Sequence, residues 1–474
     1  MPEPLPPVRG RAPRVALLVY NDAHADARVI KTATTLRDAG AEVRIFAVAR
    51  ARSGYPEGED TVGPGIPVQR APEFELVRYA PWLVDLARRV LGRTAPTGTA
   101  ADPPVAAAPR ADATVVTVPE VPAEAAPEVP AAVAASVPPT LQQRALALGN
   151  DLWLRGFRTV SLGLYWLKAA HAAVAWVPDV VHANDGNTLA PAWWVARRTG
   201  ASVVYDAHEL WRHRNVRQDR PLASHVEAAV ESLGVGRAAG IITVSPSIAH
   251  WLQATYDLPV LPTLVRNIPR RADDPAEPSD GRLRELAGLS ADTQVIAYGG
   301  RITTSRGIEE TLEALAMLPP QVHFVLLGYG EPDYLATLHA RIAALGLGQR
   351  VHFVGKVPPA EVSTALADAD LSVVYVRPIC LSYEFSLPNK LFESIHAGLP
   401  VAAADLPDTA AVVHEHGVGE IFDADSPTDM ARTISTVLAD PQRYRDASRA
   451  AAEVLTWQHE EAELLGLYRK VLRR

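Results

Sequence analysis

The chain has one cysteine, Cys380, among its 474 residues. A single thiol excludes an internal disulfide and is typical of proteins of the reducing cytoplasm. No run of about 18 uncharged apolar residues occurs, so the sequence predicts no membrane-spanning helix. The N-terminus lacks the apolar stretch of a secretory signal. We therefore expect a cytoplasmic protein, with association at the inner face of the membrane as an open option.

An excess of positive charge is also missing. The net charge is −8, which argues against nucleic acid as a partner. The histidines and the cysteine form no cluster with zinc spacing. Asp368-Ala-Asp370 has the spelling of a metal-binding pair, but it precedes an apolar strand and is interpreted as a helix-to-strand turn. The sequence therefore predicts no nucleic-acid partner and no required metal.

The length is too great for one hydrophobic core and predicts two domains. In both halves, apolar runs of buried-strand type alternate with helical patterns, which favours an α/β fold with doubly wound parallel sheets. The predicted strands of the first half are 14–20, 42–48, 179–184, 202–207 and 240–244. Those of the second half lie near 295–298, 322–327, 351–354, 371–376 and 401–404.

The predicted domain boundaries follow from these patterns. A disordered tail, 1–11, precedes a first domain over 12–265, and a second domain follows over 266–455. Residues 94–140 are rich in Pro, Ala, Val, Thr and Glu with almost no aromatics, a composition that cannot bury a core. We interpret them as a disordered insertion in the first domain. The last segment, 456–474, is amphipathic.

The segment Ser386-Leu-Pro-Asn-Lys-Leu-Phe-Glu393 has the pattern of a loop that turns into a helix. Pro388 suits the first helical position, and Ser386 suits the cap before it. Free amides at a helix start can hold a phosphate. Glu393, further along the helix, could accept hydrogen bonds from both hydroxyls of a ribose. The predicted nucleotide-sugar residues of this segment are Pro388, Asn389, Lys390 and Glu393.

A glycine-rich turn upstream supports the same site. Strand 295–298 runs into this turn, and a predicted helix over 308–317 follows it. Glycines let a backbone approach a ligand closely, and two guanidinium groups can grip a diphosphate. The alternative is that the arginines are surface charges at a helix start, an unfavourable placement that an anionic ligand would explain. The predicted residues of this turn are Gly299, Gly300, Arg301 and Arg306.

Together these segments resemble the nucleotide-binding half of retaining glycosyltransferases of family 4, which have the GT-B fold. That family has a Gly-Arg-x5-Lys-Gly pattern, in which Arg301 matches and Arg306 replaces the Lys with conserved charge. Its Glu-x7-Glu motif holds the ribose with the second Glu, which Glu393 matches. Glu384 lies nine positions before Glu393, one more than the motif has. The resemblance, with a Ser-Leu-Pro-Asn-Lys-x-Phe-Glu variant, assigns Glu384 to the donor sugar. It also implies that a Gly-x-Gly turn with Gly328 and Gly330 lines the donor pocket, and a plain strand-to-helix turn is the alternative.

The resemblance covers roughly residues 12–50 and 178–470. It implies two Rossmann-like domains that face a central cleft, with the last helix crossing back to the first domain. It also implies retention of anomeric configuration, and a His against the donor sugar that His208 matches. The residues expected to act in catalysis are His208, Glu384, Arg301 and Arg306.

Other polar residues follow strands of the first domain, where ligand sites cluster in such sheets. His208 could instead be structural, as a lone histidine at a strand end often is. Asp185 ends the neighbouring strand, and Asp26 and Arg28 lie in the first loop. These three are candidates for the acceptor site. Loop packing for Asp185 and a surface position for Arg28 are the alternatives.

The segment 152–168 is aromatic and basic, a composition found in helices that lie in a membrane interface. A core helix with basic ends is the other interpretation. A lipid-linked acceptor would favour the membrane reading.

The sequence thus predicts a metal-independent hexosyltransferase that needs no cofactor. Its donor would be a nucleoside-diphosphate sugar, with UDP favoured over GDP, and its acceptor a hydroxyl compound of glycan, glycolipid or metabolite synthesis. A nucleotide-sugar epimerase of the same fold would need no acceptor. A non-catalytic nucleotide-sugar-binding protein would bind the donor and transfer nothing.

Overall fold

The computed structural model describes residues 3–24, 26–75, 78, 141–215, 221–271, 281–358 and 361–473. The predicted insertion 94–140 lies outside these residues. Two β-sheets organise the described chain, and both belong to one compact unit made of Met1–Glu73 and Leu162–Arg474. Phe74–Ser161 form another unit, in which the rings of Phe74 and Phe157 lie 5.3 Å apart.

The sheet of the first domain is parallel except at one edge. Its strands are β1 (Arg14–Leu18), β2 (Glu42–Val48), β3 (Gly58–Val62), β4 (Ile66–Ala71), β5 (Val180–Asn184), β6 (Ser202–Ala207), β7 (Gly240–Thr243) and β8 (Thr263–Leu264). The spatial order is β3-β4-β2-β1-β5-β6-β7-β8, and only the β3–β4 hairpin is antiparallel among these described strands. In β1, the residues Val15–Leu18 are all buried, which explains the uninterrupted apolar run of this strand.

The sheet of the second domain is parallel throughout. Its strands are β9 (Gln294–Gly299), β10 (Val322–Leu327), β11 (Val351–Phe353), β12 (Leu371–Val374), β13 (Val401–Ala404) and β14 (Gly419–Phe422). The order β11-β10-β9-β12-β13-β14 reverses direction between β9 and β12. In open α/β sheets, ligands bind in the crevice at the carboxyl ends of the strands where the order reverses. The corresponding point of the first sheet lies between β1 and β5.

Helices cover the sheets, as expected for a doubly wound fold. In the first domain they are α1 (Ala27–Asp38), α2 (Leu141–Trp176), α3 (Gly186–Thr199), α4 (Pro221–Val235) and α5 (Pro246–Tyr256). In the second they are α6 (Leu283–Ala287), α7 (Ile308–Met317), α8 (Pro332–Ala344), α9 (Val362–Leu366), α10 (Leu381–Glu384), α11 (Asn389–His396), α12 (Pro407–His416), α13 (Pro427–Ala439) and α14 (Pro441–Val454). Short 3-10 turns lie at Ala51–Ser53 and Trp211–His213. The predicted α/β class is confirmed.

The final helix, α15 (Trp457–Leu472), packs on the first domain, as predicted. Trp457 and Tyr468 are fully buried in a cluster with residues of β1 and α1. The indole N–H of Trp457 donates to Thr35 Oγ1 at 3.0 Å. This helix therefore fastens the end of the chain to the domain in which the chain begins.

Residues 3–11, expected in a disordered tail, are attached to the first domain. Leu5 is buried, and its N–H donates to the carbonyl of Ala39 at 2.8 Å. Arg11 pairs with Asp179 at 2.7 Å. Arg469 of the final helix also pairs with Glu3 at 3.5 Å. One apolar anchor and these two ion pairs attach the segment, and none of them stands out in a proline-rich window.

The two domains also touch through loops at their facing edges. The hydroxyl of Ser245, at the start of α5, donates to the carbonyl of Phe385 at 2.7 Å. The hydroxyl of Ser247 donates to Asp408 at 3.0 Å. Behind β6, the N–H of Leu210 donates to the hydroxyl of Ser382 at 3.2 Å. These contacts bring the carboxyl edge of the first sheet next to the loops around α10 and α11.

Candidate active site

The turn after β9 is shaped by glycines and by one tyrosine. Gly300 has φ +124°, a conformation that side chains disfavour. The Tyr298 hydroxyl donates to the carbonyl of Arg301 at 2.7 Å and holds the turn. Gly328 and Gly330 pack closely against the same turn. A Cβ on Gly328 would collide with the carbonyl of Gly300, and a Cβ on Gly330 with that of Ile302. They let the chain approach the turn closely and are not among the residues that line the cavity described below.

The predicted helix start at 386–393 needs a correction. α11 begins at Asn389, so Pro388 is the residue before the helix rather than its first residue. Ser386 does not cap the helix, since its hydroxyl donates to the carbonyl of Tyr383 at 2.7 Å. No side chain of the described residues caps α11. The amides at this helix start are consequently left for a ligand or solvent.

The turn and the start of α11 enclose a cavity of about 350 Å³. Each segment leaves the carboxyl end of one of two neighbouring strands, β9 and β12, which explains why they meet. Apart from Tyr298, every lining residue is a predicted donor-site residue. The lining is Tyr298, Gly299, Gly300, Arg301, Arg306, Pro388, Asn389, Lys390 and Glu393.

The cavity contains an ammonium group without a counterion contact. Lys390 Nζ lies 3.9 Å from the centre of the Tyr298 ring. It is buried and has no hydrogen-bond partner among the described residues. Burial, with nearby Arg306, lowers the pKa of Lys390 to about 7. Burial also raises the pKa of Glu393, against the opposing effect of Lys390 and Lys31.

The two arginines are held differently. Arg301 is about half exposed and contacts the carboxylate of Glu331 at 2.9 Å. Arg306 lies with its guanidinium 5.4 Å from the centre of the Tyr383 ring. Both line the cavity, so three cationic side chains surround one space. A diphosphate is the kind of ligand that such a set can neutralise.

Lys31 is a site neighbour that the sequence interpretation missed. It lies on α1 of the first domain, and its ammonium donates to the carbonyl of Ile268 at 2.7 Å, in the link between the domains. Burial and Arg28 lower the pKa of Lys31 to about 7, whereas Glu393 acts to raise it. No sequence signal marks it, because its proximity to Glu393 depends on how the domains pack.

His208 lies between two carboxylates at the end of β6. Its Nδ1 is 3.4 Å from Asp185 Oδ2, and its Nε2 is 3.2 Å from Asp206 Oδ2. The backbone N–H of His208 also donates to Asp185 Oδ1 at 3.2 Å. Burial opposes the charged ring, but Asp185 and Asp206 outweigh it and raise the pKa of His208 to about 10.

Glu209, the next residue, was also missed. Burial and Asp185 raise its pKa to about 7, although Arg214, His208 and Arg306 oppose this rise. The N–H of Leu210, the residue after Glu209, donates to Ser382 of the second domain at 3.2 Å. The sequence signal that could have found Glu209 is its position directly after His208.

The remaining candidates, Asp26, Arg28 and Glu384, do not line the cavity. Asp26 caps α1 by accepting from the N–H of Val29 at 3.1 Å. Arg28 is buried rather than on the surface, and it forms two hydrogen bonds to Asp206, at 3.0 and 2.6 Å. Glu384 is exposed at the end of α10 and does not line the cavity.

The Asp-x-Asp pair is structural, as interpreted from the sequence. Asp368 accepts from the backbone amides of Leu283 and Arg284, at 3.1 and 3.0 Å. Asp370 pairs with the Arg284 side chain at 2.6 Å. Within the described part of the chain, no group of three His, Cys, Asp or Glu residues is arranged to hold a metal ion.

Comparisons with known proteins give the family. Residues 282–454 match the model of "Glycosyl transferases group 1", and residues 94–267 match that of the "Glycosyl transferase 4-like domain". The chain is 30% identical to 2-deoxystreptamine glucosyltransferase of Streptomyces kanamyceticus over 66% of its own length and 84% of that protein. The chain belongs to the group 1 glycosyltransferases.

The chain is also similar to a second named relative and to a solved structure. The glycosyltransferase is 28% identical to D-inositol 3-phosphate glycosyltransferase of Jonesia denitrificans, over 62% of its own length and 72% of the relative. Its fold matches that of Anabaena Alr3699/HepE, crystallised with UDP-glucose. That match has a TM-score of 0.62 and 16% identity, and it covers 95% of this chain and 98% of the other. The predicted GT-B fold and the predicted enzyme class are confirmed.

No helix among the described residues is long and apolar enough to cross a membrane.

Proposed function

We propose that this glycosyltransferase moves a hexose from a UDP-sugar to a hydroxyl group of a polyhydroxylated ring acceptor. The observation that carries the proposal is the cavity in which Arg301, Arg306 and Lys390 surround a space next to Glu393. The cations would bind the diphosphate, and Glu393 would bind the ribose. Catalysis would come mainly from stabilising the charge that develops on the departing diphosphate.

The other assignments depend on the chain connections around this cavity. Glu384 lies in the connection between β12 and α11, the helix that carries Lys390, and we retain it as a contact of the donor sugar. His208 would lie on the acceptor side of the donor sugar. Asp185 and the loop around Asp26 and Arg28 end neighbouring strands and would shape the acceptor site. Retention of anomeric configuration comes from the family resemblance.

The choice of substrate rests on the names of related proteins. Alr3699/HepE was crystallised with UDP-glucose, which favours UDP over GDP. The names of two relatives contain 2-deoxystreptamine and D-inositol 3-phosphate, both of which are hydroxylated six-membered carbocycles. No metal is needed in the proposal, because the side-chain cations and the amides of α11 neutralise the diphosphate. We also propose a cytoplasmic location, with a lipid-linked acceptor and peripheral membrane contact as an option.

Thermal unfolding with UDP, UDP-glucose and GDP tests the donor site. A ligand at 100 times its Kd stabilises by about 2.7 kcal/mol. At roughly 2 °C per kcal/mol, this gives a Tm rise of roughly 5 °C. Glu393→Gln and the double variant Arg301→Ala/Arg306→Ala should lose the rise. The control Lys356→Met changes an exposed lysine outside the cavity lining and should keep it.

Transfer is then measured as UDP released from UDP-glucose, with and without 2-deoxystreptamine or inositol phosphate. Release that depends on the acceptor supports the proposal. Equal Tm shifts in the parent and the site variants would place the donor elsewhere. A donor that is converted without any acceptor would point to an epimerase or a hydrolase.

A further inference from the structure

A buried charge network lies beneath the loop that carries His208. Its centre is Asp206, whose side chain is almost fully buried. Arg28 donates to both of its oxygens, at 3.0 and 2.6 Å. His182 and His208 approach Oδ2 with Nε2 at 3.2 Å each. One carboxylate thus contacts three basic side chains, which come from α1, from the middle of β5 and from the loop after β6.

The protonation of His182 follows from its partners. An ionised carboxylate only accepts hydrogen bonds, so His182 Nε2 carries the hydrogen toward Asp206. The other ring nitrogen, Nδ1, lies 2.8 Å from the hydroxyl of Tyr468 on α15. Burial lowers the pKa of His182, which keeps the ring neutral. Nδ1 therefore accepts from the tyrosine, and the hydroxyl fixes the tautomer.

His208 differs from His182 in its protonation state. Both ring nitrogens face carboxylates, with Nδ1 3.4 Å from Asp185 and Nε2 3.2 Å from Asp206. Nε2 is buried, and the contact with Asp206 is close in distance but outside hydrogen-bond alignment. A neutral imidazole would place a lone pair against one of the two anions. Only the imidazolium gives each carboxylate an N–H, and the pKa of His208, raised to about 10, agrees.

We propose that His208 acts as a fixed imidazolium that positions the loop after β6 at the active site, and not as a group that transfers a proton. Asp206 is then a positioning residue that works through His208. Two carboxylates, Asp185 and Asp206, balance two cations, His208 and Arg28, so the network is internally neutral. This inference rests on the proposed function only in placing His208 beside the donor sugar.

The network also connects distant parts of the fold to this loop. Arg28 donates to the carbonyl of Val265 at the end of the first domain, at 2.6 Å. Tyr468 brings in the final helix. Two residues after His208, the N–H of Leu210 donates to Ser382 of the second domain. The charged and titratable groups around the His208 ring are Asp185, Asp206, Glu209, Arg28 and His182.

Nuclear magnetic resonance of the full chain with 15N-labelled histidine tests the proposal. The signals of His208 are assigned by their loss in His208→Gln. Both ring nitrogens of His208 should carry a proton from pH 6 to 8.5. In Asp206→Asn, the midpoint should fall by at least about 1 pH unit, toward the ordinary value of about 6.5. Tyr468→Phe is the matched control, since it removes a network hydroxyl but neither carboxylate, and His208 should stay protonated.

Kinetics separate this proposal from the proposed function. Asp206→Asn should lower kcat on the order of 10²-fold, because a displaced positioning group costs about this much. Its rate should also gain a pH dependence at the lowered midpoint of His208, where the rate of the parent does not change. A parent His208 that titrates near pH 6.5, or that carries one ring proton at pH 7, overturns the inference even when transfer is normal. A fixed imidazolium in a protein that transfers no sugar overturns only the proposed function. If Asp206→Asn does not fold, the parent titration alone decides.

Discussion

Replacing Lys390 with methionine should stabilise the free enzyme and weaken donor binding. The ammonium lies 3.9 Å from the centre of the Tyr298 ring, buried and without a hydrogen-bond partner in the described chain. Burial, with Arg306, lowers its pKa from 10.5 to about 7. The unfolded chain thus holds this proton more tightly than the folded chain does. The resulting destabilisation is complete below about pH 7 and disappears as the pH rises through 10.5.

Lys390→Met should change both the Tm of the free enzyme and its affinity for UDP. An unpaired buried donor costs roughly 1–3 kcal/mol, and methionine keeps a similar apolar length without the charge. At roughly 2 °C per kcal/mol, the Tm of the free variant should rise by about 2–6 °C at pH 7. A hydrogen bond to a charged group contributes about 1.5–3 kcal/mol, so UDP should bind about 10- to 100-fold more weakly.

Calorimetry measures both changes, the rise in Tm and the loss of affinity for UDP. Scanning calorimetry gives the Tm, and titration with UDP gives the Kd at pH 6, 7 and 8. Because a diphosphate favours the charged amine, the parent should take up part of a proton on binding and bind up to about tenfold more weakly at pH 8 than at pH 7. Lys390→Met should lose this dependence, and Lys356→Met, at an exposed lysine over the Tyr329 ring, should keep it. A variant that is less stable than the parent and binds UDP equally well would refute the reasoning.

Three further predictions concern stability. His208 has a pKa raised to about 10, so its ion pairs should contribute fully below its ordinary value near 6.5 and be lost as the pH rises through 10. Urea unfolding at pH 7 and pH 10, with His208→Gln as the control that lacks the titrating ring, measures this loss. Gly307→Ala should destabilise by at least about 1–3 kcal/mol, because Gly307 has φ +74° and a Cβ would overlap the Tyr375 ring. Gly466→Ala in α15, where a Cβ meets nothing within 4 Å, should stabilise by roughly 0.5–1 kcal/mol in the same chemical denaturation assay.

The convergence of the two sequence motifs at one cavity could be predicted from sequence for a topological reason. The turn with Arg301 and the loop before Glu393 each follow a strand, and those strands are neighbours in a parallel sheet. Their carboxyl ends must lie at the same edge, so local motifs about 90 residues apart converge without any knowledge of packing. Helix α7 was predicted over its observed bounds because its apolar spacing and glycine start are local signals.

Other features of the site and the fold depend on tertiary packing and have no local sequence pattern. Lys31 approaches Glu393 only because α1 packs beside the domain link. Arg28 has the sequence context of a surface residue at a helix start, yet its partner Asp206 is 178 positions away. The β3–β4 hairpin was missed because β3 is mostly exposed and lacks alternating apolar residues.

The charges of the two domains differ in one physical respect. In the first domain, Asp206 and His208 are surrounded by partners of opposite charge that the chain itself supplies. In the second domain, the ammonium of Lys390 is buried without a hydrogen-bond partner from the described chain. A buried charge without a partner is costly, and an anionic ligand would reverse that cost. The first network is therefore suited to hold a loop in place, whereas the cavity at Lys390 is suited to bind a diphosphate.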